Sequence, residues 1–366
     1  MERRKKLNLT QLQKRIDKEI PEIAKKFSTQ AKQMFLVGGA LRDIVFGRAP
    51  TDFDFVISDI EKAKTFFKNE KIKFFTIEKG DFVFLRVVLK NKTLDFIKQE
   101  KPITEDIHDR DFTINTIFYN VKTKDLIGSH EAFEDIEAHI LRVASENSIE
   151  KDPLRALRGI RFAANFNLKI EKFTAEKMKS GFSLLKNVSE SRKHEELRKL
   201  FEIPFEKLFS AFCVIFPEIC PENFESEIKK IHRCTSFGTS KKEISKGVSL
   251  THLCKLFLIV KTFKLNSREI FGTTKKEEEF LDILDKAGCD FESLFEIFKK
   301  HPIDYVLAVD IMKCKGRKAE EIKKWGSIKI DGNKLKELYN VSGKTLGKIK
   351  EEKLKEECRK IYEEKV

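Results

Sequence analysis

The stretch from Phe35 to Val56, FLVGGALRDIVFGRAPTDFDFV, constrains the fold more tightly than any other part of the chain. An apolar run, Phe35-Leu36-Val37, ends in Gly38-Gly39. A short helical turn carrying Arg42 and Asp43 follows, then a break at Gly47, then Asp52 and Asp54 alternating with Phe53 and Phe55. Residues i and i+2 of a strand point to one face, so Asp52 and Asp54 present neighbouring carboxylates while the phenylalanines enter a core. Carboxylates that close repel one another unless a cation lies between them, and hard oxygen ligands with room for water and phosphate oxygens suit Mg²⁺. A pair of such ions can clamp the attacking and leaving oxygens of a phosphoryl displacement. The glycines fit the same chemistry. Without a Cβ, Gly38 and Gly39 let backbone N–H groups approach an anion at a helix start, and Arg42 adds a two-pronged phosphate donor. Each half alone also reads as plain structure, a tight strand-to-helix turn and a solvated strand; together, at this spacing, they favour chemistry.

Two further clusters lie downstream. Asp109-Arg110-Asp111-Phe112-Thr113-Ile114-Asn115 places an arginine beside a carboxylate, a pattern that also suits a structural ion pair at a strand start. Lys151-Asp152-Pro153-Leu154-Arg155 continues into Leu157-Arg158-Gly159-Ile160-Arg161-Phe162. Asp followed by Pro is a helix-start signal, so Asp152 reads as a cap. One carboxylate oxygen can cap while the other stays available to a ligand, and Arg155 lies one turn on. Arg158 and Arg161 step round the helix and cannot share one target.

These three segments resemble the GGxxRD…DxD, RRDFTIN and EDPLRxLRxxRF motifs of the class II tRNA nucleotidyltransferase and bacterial poly(A) polymerase family. The chain departs from the pattern at Asp109, where the family has its first Arg, and at Lys151, where it has Glu. The resemblance implies an α+β fold: a DNA polymerase β-like nucleotidyltransferase head over 1–140, then an all-helical neck over 141–202, body over 203–310 and tail over 311–366. It implies that Asp52 and Asp54 are catalytic and hold two Mg²⁺ ions. Gly38, Gly39, Arg42 and Arg110 would bind the triphosphate, Asp152 and Arg155 would read the base, and Arg158 and Arg161 would line the nucleotide site. Asp95 in TLDFI is a candidate third carboxylate, though an ordinary exposed Asp would alternate in the same way. The implied reaction is template-independent addition of CMP, or of a full CCA end, from CTP and ATP to tRNA. The helical tail would hold the tRNA elbow. A poly(A) polymerase-like adenylyltransferase and a non-catalytic RNA-binding protein are the alternatives. Family members that add the final A carry a longer flexible segment where this chain has only LDFIKQEKPITEDIHDR, which points to CC addition.

The rest of the sequence agrees with a polyanionic partner. The 366 residues carry a net charge of +14 although 36% of them are charged, so the surplus is cationic on a heavily ionised surface. No apolar run reaches the length of a membrane span. Seven scattered cysteines without a CxxC pair argue against a disulfide framework or a zinc site and for a reducing cytoplasm. The helical spacing of Leu12, Ile16, Ile20 and Ile23 predicts one amphipathic helix over 9–27. Strands are expected at FLV, DFDFV, KFFTI, FVFLRVVL, TLDFI and FTINTIFYN, and helices alone beyond Asp152.

Overall fold

Pro21 divides the N-terminal segment that its apolar spacing marks as one helix. The structure, a computed structural model, describes residues 8–79, 82–100, 102–222, 225–236, 243–245, 247–314, 316 and 318–363. It shows α1 (Leu9–Glu19) and α2 (Glu22–Gln30) meeting at Pro21, because proline has no N–H to continue the helical ladder and disfavours helical geometry in the residue before it. Leu12, Ile16 and Ile20 are buried as the spacing requires.

A seven-stranded mixed sheet follows. Its strands are β1 (Met34–Val37), β2 (Asp52–Ile57), β3 (Phe74–Lys79), β4 (Phe82–Val88), β5 (Thr93–Lys98), β6 (Phe118–Asn120) and β7 (Leu126–Ile127), in the spatial order β3-β4-β5-β2-β1-β6-β7. β2 and β5 run parallel at its centre; the other pairings are antiparallel. Phe53, Phe55 and Ile57 are buried on one face of β2 while Asp52 is exposed on the other. Behind that face Phe55 stacks on Phe96 of β5, whose ring also meets Phe27 of α2 and Phe67 of α4 (Ile60–Asn69). This aromatic layer holds β2 rigidly with its carboxylates outward. The register sets Val37 opposite Asp54 and Asp54 opposite Asp95. Because α3 (Gly38–Val45) begins where β1 ends, its N-terminus arrives beside Asp54.

Residues 103–182 complete the first part of the chain. α5 (Ile103–Asp109) starts after Pro102 and buries Ile103 in a cluster with Phe35, Val37 and Phe118, against which Ile107 packs. The expected strand at FTIN is instead a tight 3₁₀ turn over Thr113–Asn115. The Asp111 carboxylate accepts from the Phe112 N–H at 2.9 Å and from Asn115 Nδ2 at 2.7 Å, closing the chain on itself. α6 (His130–Ala138), β8 (Ile140–Leu141), α7 (Ser148–Lys151), α8 (Leu154–Phe166), β9 (Lys169–Ile170) and α9 (Lys172–Phe182) complete the region. β8 and β9 pair in parallel.

The chain divides into two compact units, Met1–Leu184 and Leu185–Val366. Within the second, helices run from Glu190–Phe201 to Gly343–Glu363. Its core includes Phe209, Phe212 and Phe263, and a fully buried Trp325 against Phe291, Phe295 and Phe298. Leu197 and Leu200 are buried on the first of these helices. Its Lys193 reaches the carbonyls of Arg268 (3.3 Å) and Glu269 (2.8 Å). Two corrections apply beyond Asp152. The remainder is largely rather than wholly helical, since β9 and the short antiparallel pair Glu243–Ser245 with Val248–Ser249 interrupt it. Disulfides also join Cys213 to Cys220 and Cys289 to Cys314, with Cα separations of 5.0 and 5.4 Å, inside the range a bridge requires. Spacing along the chain carried no sign of that proximity. Among the described residues no helix is long and apolar enough to cross a membrane.

Candidate active site

Gly38 adopts φ of +69°, a left-handed geometry that glycine alone enters without strain. A Cβ placed there would lie 3.6 Å from Asp54 Oδ2 and 3.9 Å from Arg110 Nη1. Backbone, carboxylate and guanidinium therefore converge on one point. The first N–H groups of α3, which have no partner within the helix, gather there too and favour an anion. Gly39 sits beside the Arg42 guanidinium, with a Cβ position 3.6 Å from Nη2.

Asp52 and Asp54 lie on the same face of β2, and the Thr51 hydroxyl donates to Asp52 Oδ2 at 2.9 Å. Burial pushes the Asp54 carboxyl above its ordinary range. Asp95 and Asp52 add to that rise, and Arg110 and Arg86 work against it. A group whose charged form is disfavoured by burial and by like charges gains from a bound cation, so the pair fits a divalent ion. Among the described residues no cluster of three or more His, Cys, Asp or Glu is arranged to hold a metal. Water and triphosphate oxygens would complete the shell, as Mg²⁺ favours.

Asp95 lies opposite Asp54 on β5 and is gripped from its other side. Arg86 of β4 donates to both of its oxygens, Nε to Oδ1 at 2.7 Å and Nη2 to Oδ2 at 2.6 Å. Arg86 was not among the residues the sequence singled out, and the signal that could have found it is the FLRVVL alternation, which puts it on the face of the aspartates.

Arg110 of the second motif lies beside Gly38 and acts on Asp54, while Arg42 gathers with Arg158 and Arg161 of the third motif at Phe162. Arg110 ion-pairs with Asp106 and lies over the Phe118 ring, and its Nε is buried without a hydrogen-bond partner. Arg42 donates to Asp43 Oδ1 (2.9 Å) and Asn115 Oδ1 (3.2 Å). Its guanidinium also lies 4.5 Å from the centre of the Phe162 ring. Arg161 and Arg158 approach the same ring at 4.4 and 5.3 Å. Phe162, 1% exposed, thus organises three guanidinium groups by cation–π contact. Arg158 also donates twice to Asp111 Oδ2, at 2.9 and 2.8 Å. Burial alone would raise Asp111, but Arg158, Asn115 and the Phe112 N–H hold it below its ordinary range.

The third motif is tied to the second. Asp152 Oδ1 accepts from the Leu154 N–H at 3.3 Å, a capping bond. Arg155 Nη2 donates to the Asp109 carbonyl (2.6 Å), and its Nη1 to the Arg110 carbonyl (3.2 Å) and the Ser148 hydroxyl (2.9 Å). In this structure Arg155 anchors the backbone that carries Arg110.

Several known proteins resemble parts of this chain. The poly A polymerase head domain matches residues 34–101 and 86–142, the segment that holds Gly38, Asp54, Asp95 and Arg110. A CCA-adding enzyme of Streptococcus agalactiae is 31% identical over 215 residues, covering 54% of this chain and 53% of that protein. A CC-adding tRNA nucleotidyltransferase of Thermus thermophilus is 34% identical over 148 residues, covering 40% and 33%. The chain thus spans about half or less of the length of these curated relatives. A solved CCA-adding enzyme in complex with CTP superposes with a TM-score of 0.69 at 20% identity, covering 98% of this chain and 94% of that one, a likeness of fold. The matched head domain holds the carboxylates and the fold is that of the CCA-adding enzymes, so the chain is similar to the tRNA nucleotidyltransferases and poly(A) polymerases.

Proposed function

We propose that this protein extends the 3′ end of tRNA without a template, adding CMP residues from CTP and releasing pyrophosphate. The observation that carries the reading is the convergence of the Asp54 carboxylate, the Gly38 start of α3 and the partly unpartnered Arg110 guanidinium. A carboxylate pair beside an anion cradle is what a transfer at the α-phosphate of a nucleoside triphosphate requires.

In this reading Asp52 and Asp54 hold two Mg²⁺ ions, which when bound supply neutralisation of the charge that develops on the reacting oxygens. The α3 N–H groups and Arg110 hold the triphosphate. Gly39 leaves room for it, and Arg42, Arg158 and Arg161 set the positive field around it. Asp152 accepts the amino proton of the incoming base, which admits cytosine and adenine and rejects the opposite polarity of uracil and guanine. Arg155 donates to the base from its place beside the second motif. The region 1–140 then acts as the catalytic head, 141–202 as the base-reading neck, and 203–310 and 311–366 as body and tail. Surplus lysine and arginine on the helices grip tRNA phosphates by shape, in the cytoplasm where the substrates meet.

The test is incubation of the purified protein with α-labelled CTP or ATP and tRNAs ending in the discriminator base, C or CC. CMP addition to the first two supports the proposal. Long homopolymeric A tails, or no transfer with any primer, would overturn it.

A further inference from the structure

Arg86, Asp95 and Asp54 form one row across three strands, since Arg86 opposes Asp95 on β4–β5 and Asp95 opposes Asp54 on β5–β2. Three carboxylates at one end of a sheet invite a three-ligand metal centre. Here both oxygens of Asp95 are already taken by the fork of one guanidinium, the strongest geometry an arginine offers a carboxylate. Asp95 is largely buried and Arg86 is part-exposed, with side-chain exposures of 15% and 41%. The more buried partner is therefore the one whose charge must be matched from within the protein. Arg86 also feels Asp52 and Asp54, and Asp54 feels Asp95 as a repelling neighbour.

We propose that Arg86 is a positioning residue that neutralises Asp95 and keeps it out of the coordination shell, so that Asp52 and Asp54 alone supply the protein's metal ligands. The inference rests on the reading of Asp52 and Asp54 as a metal site. It assigns Asp95 to a neutral pair with Arg86, leaving Asp52 and Asp54 as the carboxylates that face the cation. Lysine would not replace Arg86, because a point charge cannot occupy both carboxylate oxygens in the plane.

The experiment measures Mn²⁺ binding to the full chain by electron paramagnetic resonance of the free ion, without nucleotide or RNA. Arg86→Gln leaves Asp95 unmatched and is expected to tighten Mn²⁺ about three- to tenfold, the lower part of the coupling seen between neighbouring charges. Asp95→Asn leaves Arg86 unmatched beside the site and is expected to weaken it by a similar factor. The double variant Arg86→Gln/Asp95→Asn is expected to return to within about twofold of the parent, because a neutral pair has been replaced by a neutral pair. Equal weakness in Asp95→Asn and the double variant would show Asp95 ligating the ion and overturn the proposal. Unchanged affinity in both single variants would overturn it as well. If Arg86→Gln does not fold, the comparison of Asp95→Asn with the double variant still decides. Asp54→Asn is the control: full Mn²⁺ affinity there would defeat the metal reading itself.

Discussion

Lys151 Nζ lies 3.0 Å from Asp109 Oδ1, joining the last residue of α7 to the last residue of α5. These are the two positions at which the chain departs from the motifs it resembles, Asp for Arg and Lys for Glu. The two departures meet in one ion pair. The pair links the segments that carry Arg110 and Arg155, and the Asp109 carbonyl accepts from Arg155 as well. Both side chains are nearly half exposed, so its contribution is about 0.2–1 kcal/mol. Lys151→Glu is expected to lower stability by up to about 1 kcal/mol, and Asp109→Arg/Lys151→Glu to restore it. Urea unfolding of the three proteins checks this, and a double variant no better than Lys151→Glu would deny the coupling.

Removing either of the proposed ligand carboxylates is expected to separate chemistry from grip. Asp52→Ala or Asp54→Ala is expected to lower nucleotide addition on the order of a thousandfold, the several kcal/mol that metal-assisted charge neutralisation provides. tRNA affinity stays close to the parent value. Asp54 adds a stability signature. Its folded pKa is raised chiefly by burial, so its ionisation disfavours the fold as pH rises from the unfolded carboxylate value through the folded one. Asp54→Asn is therefore expected to be more stable than the parent at pH 7, with the advantage vanishing below about pH 4. Thermal melts across that range measure it.

The opposite sign applies to Asp111. Its carboxyl is held below the ordinary range despite burial, so its stabilisation is complete above the unfolded value and is lost as pH falls through the folded one. Arg158→Met removes the partner of a buried charge and is expected to cost about 3–5 kcal/mol at pH 7. On acidification the variant's Asp111 protonates first, so its deficit against the parent shrinks. Denaturant titrations at pH 7 and pH 4.5 compare them, and a pH-independent deficit would contradict the account.

Base choice and fold are carried unequally by the third motif. Asp152→Ala loses one capping bond and the proposed base contact, and is expected to admit UTP or GTP while costing about 1 kcal/mol of stability. Arg155→Ala also frees the carbonyls of Asp109 and Arg110, so it is expected to lower both discrimination and melting temperature. Competition between labelled CTP and UTP, read beside thermal melts, separates the two. Discrimination unchanged in Asp152→Ala would leave it a cap alone.

Nucleotide specificity is expected to follow the packing of α5. The segment between Asp95 and Arg110 contains no glycine, and Pro102 fixes φ at the start of α5, where Ile103 is buried. Repositioning the pocket for a purine needs slack that this docked helix does not supply. CMP addition to tRNA lacking its CCA end is expected to be efficient, and AMP addition to tRNA ending in CC poor. AMP transfer at the CMP rate would make this a full CCA-adding enzyme.

The candidate site was legible to the extent that it is local. The aspartates of β2 point outward because strand periodicity is two, and Phe53 and Phe55 are buried for the same reason. The glycine pair at the start of α3 was equally plain. The FTIN segment was misread as strand because its apolar content suits a strand. A side-chain-closed turn at Asp111 and Asn115 overrode that preference.

The sequence by itself thus determined which residue types stand at the head of β2 and α3, since periodicity and glycine geometry act over a few bonds. Tertiary structure decided who their partners are. Arg86 reaches Asp95 only through the β4–β5 register, and Arg42, Arg158 and Arg161 meet at Phe162 only after α3 and α8 pack. Cys289 finds Cys314 across 25 residues of chain. Such pairings depend on long-range register and packing, which no short window of sequence encodes, because the energy that selects them comes from burying the whole core at once.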